Sequence, residues 1–85
     1  MKINVKYFAS VREAVGVGQE SIELAGDDAT VGAVRSLLVA RGGVWEDALG
    51  DGRAVRMACN QLMCDAQTPV VDGAEVAFFP PVTGG

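Results

Sequence analysis

The sequence predicts a single α+β domain, a mixed sheet packed by one main helix with short extra helices, on three grounds. Apolar and polar residues alternate with period two near the start, a helical period occupies the middle, and a second β-rich stretch closes the chain. Eighty-five residues also leave no room for two hydrophobic cores. A composition of 49% hydrophobic and 21% charged residues supplies enough apolar surface for one core and argues against disorder.

Ile3, Val5 and Tyr7 alternate with Lys2, Asn4 and Lys6, which marks a strand over residues 2–8 with one buried and one wet face. Ser10-Val11-Arg12-Glu13 matches a capping box and predicts a short helix that Gly16 stops. A second strand over 19–25 turns Ile22 and Leu24 inward and Ser21 and Glu23 outward, until Gly26-Asp27-Asp28 breaks it. Thr30 is a good N-cap for the main helix, whose inward stripe is Val31, Val34, Leu37 and Leu38, and Gly42-Gly43 ends it. Asp27 and Asp28 stand before its positive end and Arg41 near its negative end.

Val44, Trp45, Ala48 and Leu49 predict one or two further helical turns, closed by Gly50-Asp51-Gly52. Arg56 to Cys64 reads as a hairpin about Asn60-Gln61, although Gln is not an ideal second turn residue. Asp72-Gly73 turns the chain into a last strand, Ala74 to Phe79. Strand, strand, helix, strand, strand is the order of a β-grasp, the ubiquitin-like fold, here over residues 1–79 with an extended, flexible tail at 80–85.

A net charge of −4 provides no basic patch, which disfavours nucleic acid and anionic membrane as partners. The start of the chain lacks a signal pattern and no apolar run nears the roughly 20 residues a bilayer requires, so the cytoplasm is the expected compartment. With no histidine present, Cys59 and Cys64 cannot complete a zinc set and are expected to be small buried strand residues. Phosphate-loop, Cys-x-x-Cys and paired-carboxylate motifs are missing, and a domain this small can hardly build a concave substrate site. The expectation is a protein that is not an enzyme on its own and binds no cofactor. Trp45 is expected to pack in the core or between helix and sheet, and Arg53 and Arg56 to be solvated loop charges, with contact to a partner as their other reading.

The chemistry is expected at the other end. Pro80 and Pro81 fix two φ angles and cannot extend sheet pairing, so Pro80-Pro81-Val82-Thr83-Gly84-Gly85 should project outward by about 20 Å when extended. Gly84 and Gly85 can pass a narrow channel because they carry no side chain. The carboxylate of Gly85 is inert at neutral pH, but adenylation would make it a mixed anhydride open to attack by sulfide, thiol or amine. Phe79 shares the solvent-facing side of the last strand with Glu75, and Phe8 shares that of the first with Lys2, Asn4 and Lys6. If those two strands lie side by side, the rings form an exposed patch beside the exit of the tail; the alternative tucks Phe8 under the first helix and Phe79 under the loop at Thr68-Pro69.

The run Asp72-Gly73-Ala74-Glu75-Val76-Ala77-Phe78-Phe79-Pro80-Pro81-Val82-Thr83-Gly84-Gly85 closely resembles the C-terminus of molybdopterin synthase small subunits. Ile3 to Ala9, Val11-Arg12-Glu13 and the Asn60-Gln61 pair resemble that family too, so the likeness spans nearly the whole chain. It implies a sulfur carrier of molybdenum cofactor synthesis. An activating enzyme would use ATP to adenylate Gly85, a thiocarboxylate would follow, and the synthase large subunit would receive the tail and sulfurate cyclic pyranopterin monophosphate. By the same resemblance Phe8, Met63 and Phe79 would form the apolar subunit interface and Pro80, Pro81, Val82, Thr83 and Gly84 the partner-binding tail, within a heterotetramer. Cys59 stands where the family more usually has an aliphatic residue. A carrier for thiazole formation in thiamin synthesis, a protein modifier joined to lysines, and an inert interaction module are the competing readings.

Overall fold

The computed structural model describes residues 1–26 and 28–81. Ten elements follow in order: β1 (Lys2–Tyr7), α1 (Ala9–Val15), β2 (Gln19–Glu23), β3 (Ala29–Thr30), α2 (Val31–Val39), α3 (Val44–Leu49), β4 (Arg56–Cys59), β5 (Leu62–Cys64), β6 (Pro69–Val70) and β7 (Glu75–Phe79). Five strands form one mixed sheet in the order β2-β1-β7-β4-β5, and β3 pairs with β6 in a separate two-stranded ribbon. The first and last strands of the sheet are parallel neighbours, with Val5 opposite Val76 and Tyr7 opposite Phe78. Every other pairing in the sheet is antiparallel. This is the β-grasp that the order of elements predicts.

The period-two pattern decides which face is dry. Ile3, Val5 and Tyr7 of β1, with Val76 and Phe78 of β7, are at most 1% exposed and meet the fully buried Val31, Val34 and Leu38 of α2 and Leu49 of α3. α1 packs on α3 and β7, and α2 packs on α3, so the helices all cover one side of the sheet. The other side keeps its polar alternation at Lys2 and Asn4. Burial of large apolar side chains at about 25 cal/mol per Å² is the main force joining these layers.

Local signals explain most element ends. The Thr30 hydroxyl accepts from the Ala33 amide at 3.2 Å, which caps α2 as the sequence suggests. Gly16, at φ 83°, lets its amide reach back to the Arg12 carbonyl at 2.9 Å and closes α1. Asn60 and Gln61 both have positive φ, 50° and 69°, the geometry of a two-residue hairpin turn.

Two expectations are corrected, and one strand pairing is new. The capping box at Ser10 does not form, because α1 starts at Ala9 and the Phe8 carbonyl, not the Ser10 hydroxyl, accepts from the Val11 and Arg12 amides. β1 feeds straight into the helix and leaves no free turn for a side-chain cap. Leu37 is 41% exposed, since Val31, Val34 and Leu38 already fill the stripe that meets the sheet. The ribbon of β3 and β6 was not expected at all; its two-residue strands are too short to show a period. Of the two acids placed before α2, Asp28 is exposed in the loop leading to β3, and Asp27 lies outside the described residues.

Candidate functional site

The register lays out the helix-free face in rows. Lys6, Ala77, Ala58 and Met63 face one another across β1, β7, β4 and β5. One step nearer the end of β7, Phe79 stands opposite Arg56, and Phe8 follows β1 in extended backbone, its amide donating to the Phe78 carbonyl at 3.1 Å. Phe8 and Phe79 therefore flank the same end of the two central strands on the same face. Phe8 is 47% exposed, Met63 is 62% exposed and Phe79 is half-buried. Phe8 is not tucked beneath α1.

The centre of this face is smooth because its middle row carries two alanines. Ala77 is only 7% exposed although it faces away from the helices. Lys6 lies beside it, neutralised by Glu75 at 3.1 Å. The result is an apolar surface of Phe8, Phe79, Ala77, Ala58 and Met63, larger than the two-ring patch the sequence suggests. Exposed apolar patches of this kind mark places where another protein docks. Its inclusion of Met63 needed the β4–β5 register, which sequence periodicity alone does not supply.

The chain leaves this surface at Pro80 and Pro81, both half-buried. Val82, Thr83 and Gly84 of the expected partner-binding tail, and Gly85, to which the chemistry is assigned, lie outside the described residues. On the helix side of the exit, Pro80 lines an open groove of about 360 Å³ with Val11, Ala14, Ala48 and Val55 as its apolar wall and Asp47 and Arg53 among its polar residues. α1 and α3 leave this open groove where they meet the loop before β4.

Asn60 has a positional role that its chemistry explains. Its amide donates to the Glu75 carbonyl at 2.8 Å and its side-chain oxygen accepts from the Glu75 amide at 3.0 Å. The hairpin tip is thereby fastened to the start of β7, which holds Ala58 and Met63 level with Ala77.

On the opposite face lies a polar cluster that the sequence did not reveal. Glu20 turns toward the helices, where its carboxylate accepts from the Tyr7 hydroxyl at 2.8 Å and from both terminal nitrogens of Arg41 at 2.9 and 2.8 Å. The Arg41 guanidinium lies 4.4 Å from the centre of the Trp45 ring, which meets Tyr7 edge-on. The hydrogen bonds from Arg41 hold the Glu20 carboxyl below the ordinary range. Burial first, and then the bond to Glu20, push the Tyr7 hydroxyl far upward. The cluster joins β2 to the turn between α2 and α3. Trp45 thus packs between helix and sheet as expected.

Cys59 and Cys64 are free, half-buried thiols on the core side of their hairpin. Burial pushes the Cys64 thiol up, away from the thiolate that redox or metal chemistry requires. Among the described residues no three of His, Cys, Asp and Glu are grouped to hold a metal ion, and no helix is long and apolar enough to cross a membrane.

A helix-covered mixed sheet with a parallel central pair, and an apolar face beside the exit of its last strand, define a ubiquitin-like β-grasp protein. A family model described as the ThiS family matches residues 5–85, and the chain belongs to that family. It is 47% identical over 83 residues to the molybdopterin synthase sulfur carrier subunit of Escherichia coli (strain K12), with 98% of this chain and 99% of the relative aligned. The subunit of the same name from Haemophilus influenzae is 45% identical over the same span and coverage. Among solved structures, the small archaeal modifier protein 1 of H. volcanii superposes with a TM-score of 0.80 at 28% identity, covering 95% of this chain and 98% of that one.

Proposed function

We propose that this chain is the sulfur carrier subunit of a molybdopterin synthase. The observation that carries the reading is the exit of the chain from the central strand β7, at Phe79-Pro80, beside the exposed apolar face. The two bacterial relatives, each aligned over nearly its full length, bear that function in their names.

In this reading the carboxylate of Gly85 is a cosubstrate. An activating enzyme transfers AMP from ATP to it and releases pyrophosphate; hydrosulfide then attacks the acyl carbon, AMP leaves, and after loss of the S–H proton a thiocarboxylate remains. The carrier itself needs no bound cofactor, because ATP is held by the activating enzyme. Phe8, Met63 and Phe79 dock on the synthase large subunit, and Pro80, Pro81, Val82, Thr83 and Gly84 lead the thiocarboxylate to cyclic pyranopterin monophosphate. Two carriers flanking a dimer of large subunits would make a cytoplasmic heterotetramer.

Intact mass spectrometry after incubation with ATP, the activating enzyme and sulfide tests the proposal: replacement of one oxygen by sulfur adds roughly 16 Da. The product should then sulfurate cyclic pyranopterin monophosphate when the large subunit is added. No mass change would defeat the carrier reading, transfer only to a thiazole precursor would move the chain to thiamin synthesis, and conjugates on lysines would make it a modifier.

A further inference from the structure

At the Phe79 end of the apolar face, one cation has no ion pair among the described residues. Lys6 is paired with Glu75 at 3.1 Å, whereas Arg56, opposite Phe79 in the β4–β7 register, makes no ion pair or side-chain hydrogen bond among the described residues. Arg56 is exposed. Arg56 is solvated as expected, but it is the first residue of β4 rather than a loop residue and stands at the edge of the Phe79, Ala58 and Met63 surface. Its methylene stem can lie along that surface while the guanidinium stays in water.

A guanidinium in this place constrains whatever covers the face. Docking over Phe79 takes water from Arg56 as well, and an ion removed from water without a partner is strongly unfavourable. The chain as a whole is acidic, at −4, so a lone cation here is not part of a general basic surface. We infer that Arg56 is a specificity-determining residue of the docking face, and that the partner surface is apolar with a carboxylate placed to meet Arg56 beside the pocket that takes Phe79. The planar fork of the guanidinium would bind that carboxylate through two hydrogen bonds, fixing the rotation of the domain on its partner and hence the direction in which Pro80 and Pro81 point.

This inference rests on the proposed docking of the face against the synthase large subunit, and the test separates the two. Binding of the purified large subunit to wild type, Arg56→Glu, Arg56→Met and Phe79→Ala is measured by calorimetry at low and moderate NaCl, with a melting curve for each variant. Arg56→Glu is expected to weaken binding by about 30-fold or more and Arg56→Met by about 5-fold, with melting temperatures within about 2 °C of wild type. Wild-type affinity should fall with salt and that of Arg56→Met should respond less. Binding of Arg56→Glu equal to wild type, or tighter binding by Arg56→Met, overturns the inference if Phe79→Ala still binds weakly. Undiminished binding by Phe79→Ala and Arg56→Glu together overturns the docking reading itself.

Discussion

Phe78 and Phe79 are adjacent in sequence yet on opposite faces of β7, so the same substitution at each has a different consequence. Phe78 is fully buried and stacks at 6.4 Å between ring centres on Tyr7. Phe78→Ala removes a whole ring from the centre of the core and leaves a cavity, at a cost of about 3 to 5 kcal/mol. For a domain of this size each kcal/mol shifts the melting temperature by about 4 to 8 °C, so the expected fall is roughly 12 to 40 °C. A cost of that size approaches the whole stability of many small domains, so part of the Phe78→Ala population should be unfolded at about 37 °C. Phe79 is half-buried on the outer face, and Phe79→Ala should lower stability by only about 1 kcal/mol. In the proposed docking its larger effect should be on the partner: truncation of an aromatic anchor costs about 1 to 3 kcal/mol of affinity, or roughly 5- to 150-fold. Circular dichroism melts and calorimetric titration of the large subunit measure both quantities. An equal loss of melting temperature in the two variants, with the affinity of Phe79→Ala unchanged, would refute the assignment of faces.

Acid should act through Glu20. Its folded pKa is held below the ordinary value of 4.5, so the stability it contributes is complete above that value and is lost as pH falls below it. Glu20→Gln should cost about 1 kcal/mol at neutral pH, since the ion pair is partly open to solvent, and should flatten the fall in stability between about pH 5 and pH 3. Urea titrations across that range check this, and an unchanged slope refutes it. At the hairpin tip Gln61 has φ 69°, a left-handed conformation that disfavours a Gln side chain and that glycine adopts freely. Gln61→Gly should gain about 0.5 to 1 kcal/mol after the greater freedom of the unfolded glycine is counted, and a lower melting temperature would show that the Gln61 side chain contributes contacts of its own.

The sheet was legible because its signals are local. Alternation in β1 and β7 names the dry face directly, Thr30 and Gly16 mark helix ends by chemistry that acts within one turn, and Asn60-Gln61 marks a turn even with an imperfect second residue. Phe8 and Phe79 could be placed on one face because period two needs only counting. Met63, Ala58 and Arg56 could not be placed there by that means, since their position depends on which strands pair and in what register, a property of distant segments. Glu20 escaped notice for a related reason. A carboxylate on the helix side of a strand reads as a flaw in the pattern until Arg41, from 21 residues further along, supplies its partner. The ribbon of β3 and β6 owes its existence to the loop that brings Pro69 and Val70 back to Ala29 and Thr30, and no two-residue segment can announce such a return.

The parallel pairing of β1 with β7 also settles how the domain bears a load. A pull on Pro80 directed away from Lys2 runs along both central strands in opposite senses, so the bonds from the Asn4 amide to the Ala74 carbonyl and from the Phe8 amide to the Phe78 carbonyl, 2.9 and 3.1 Å long, are strained together with those between them. Shear of this kind must rupture the whole ladder at once. An edge strand pulled from its end would instead peel open one bond at a time. A pull on β7 that is resisted at the start of β1 therefore loads this ladder in shear instead of peeling it.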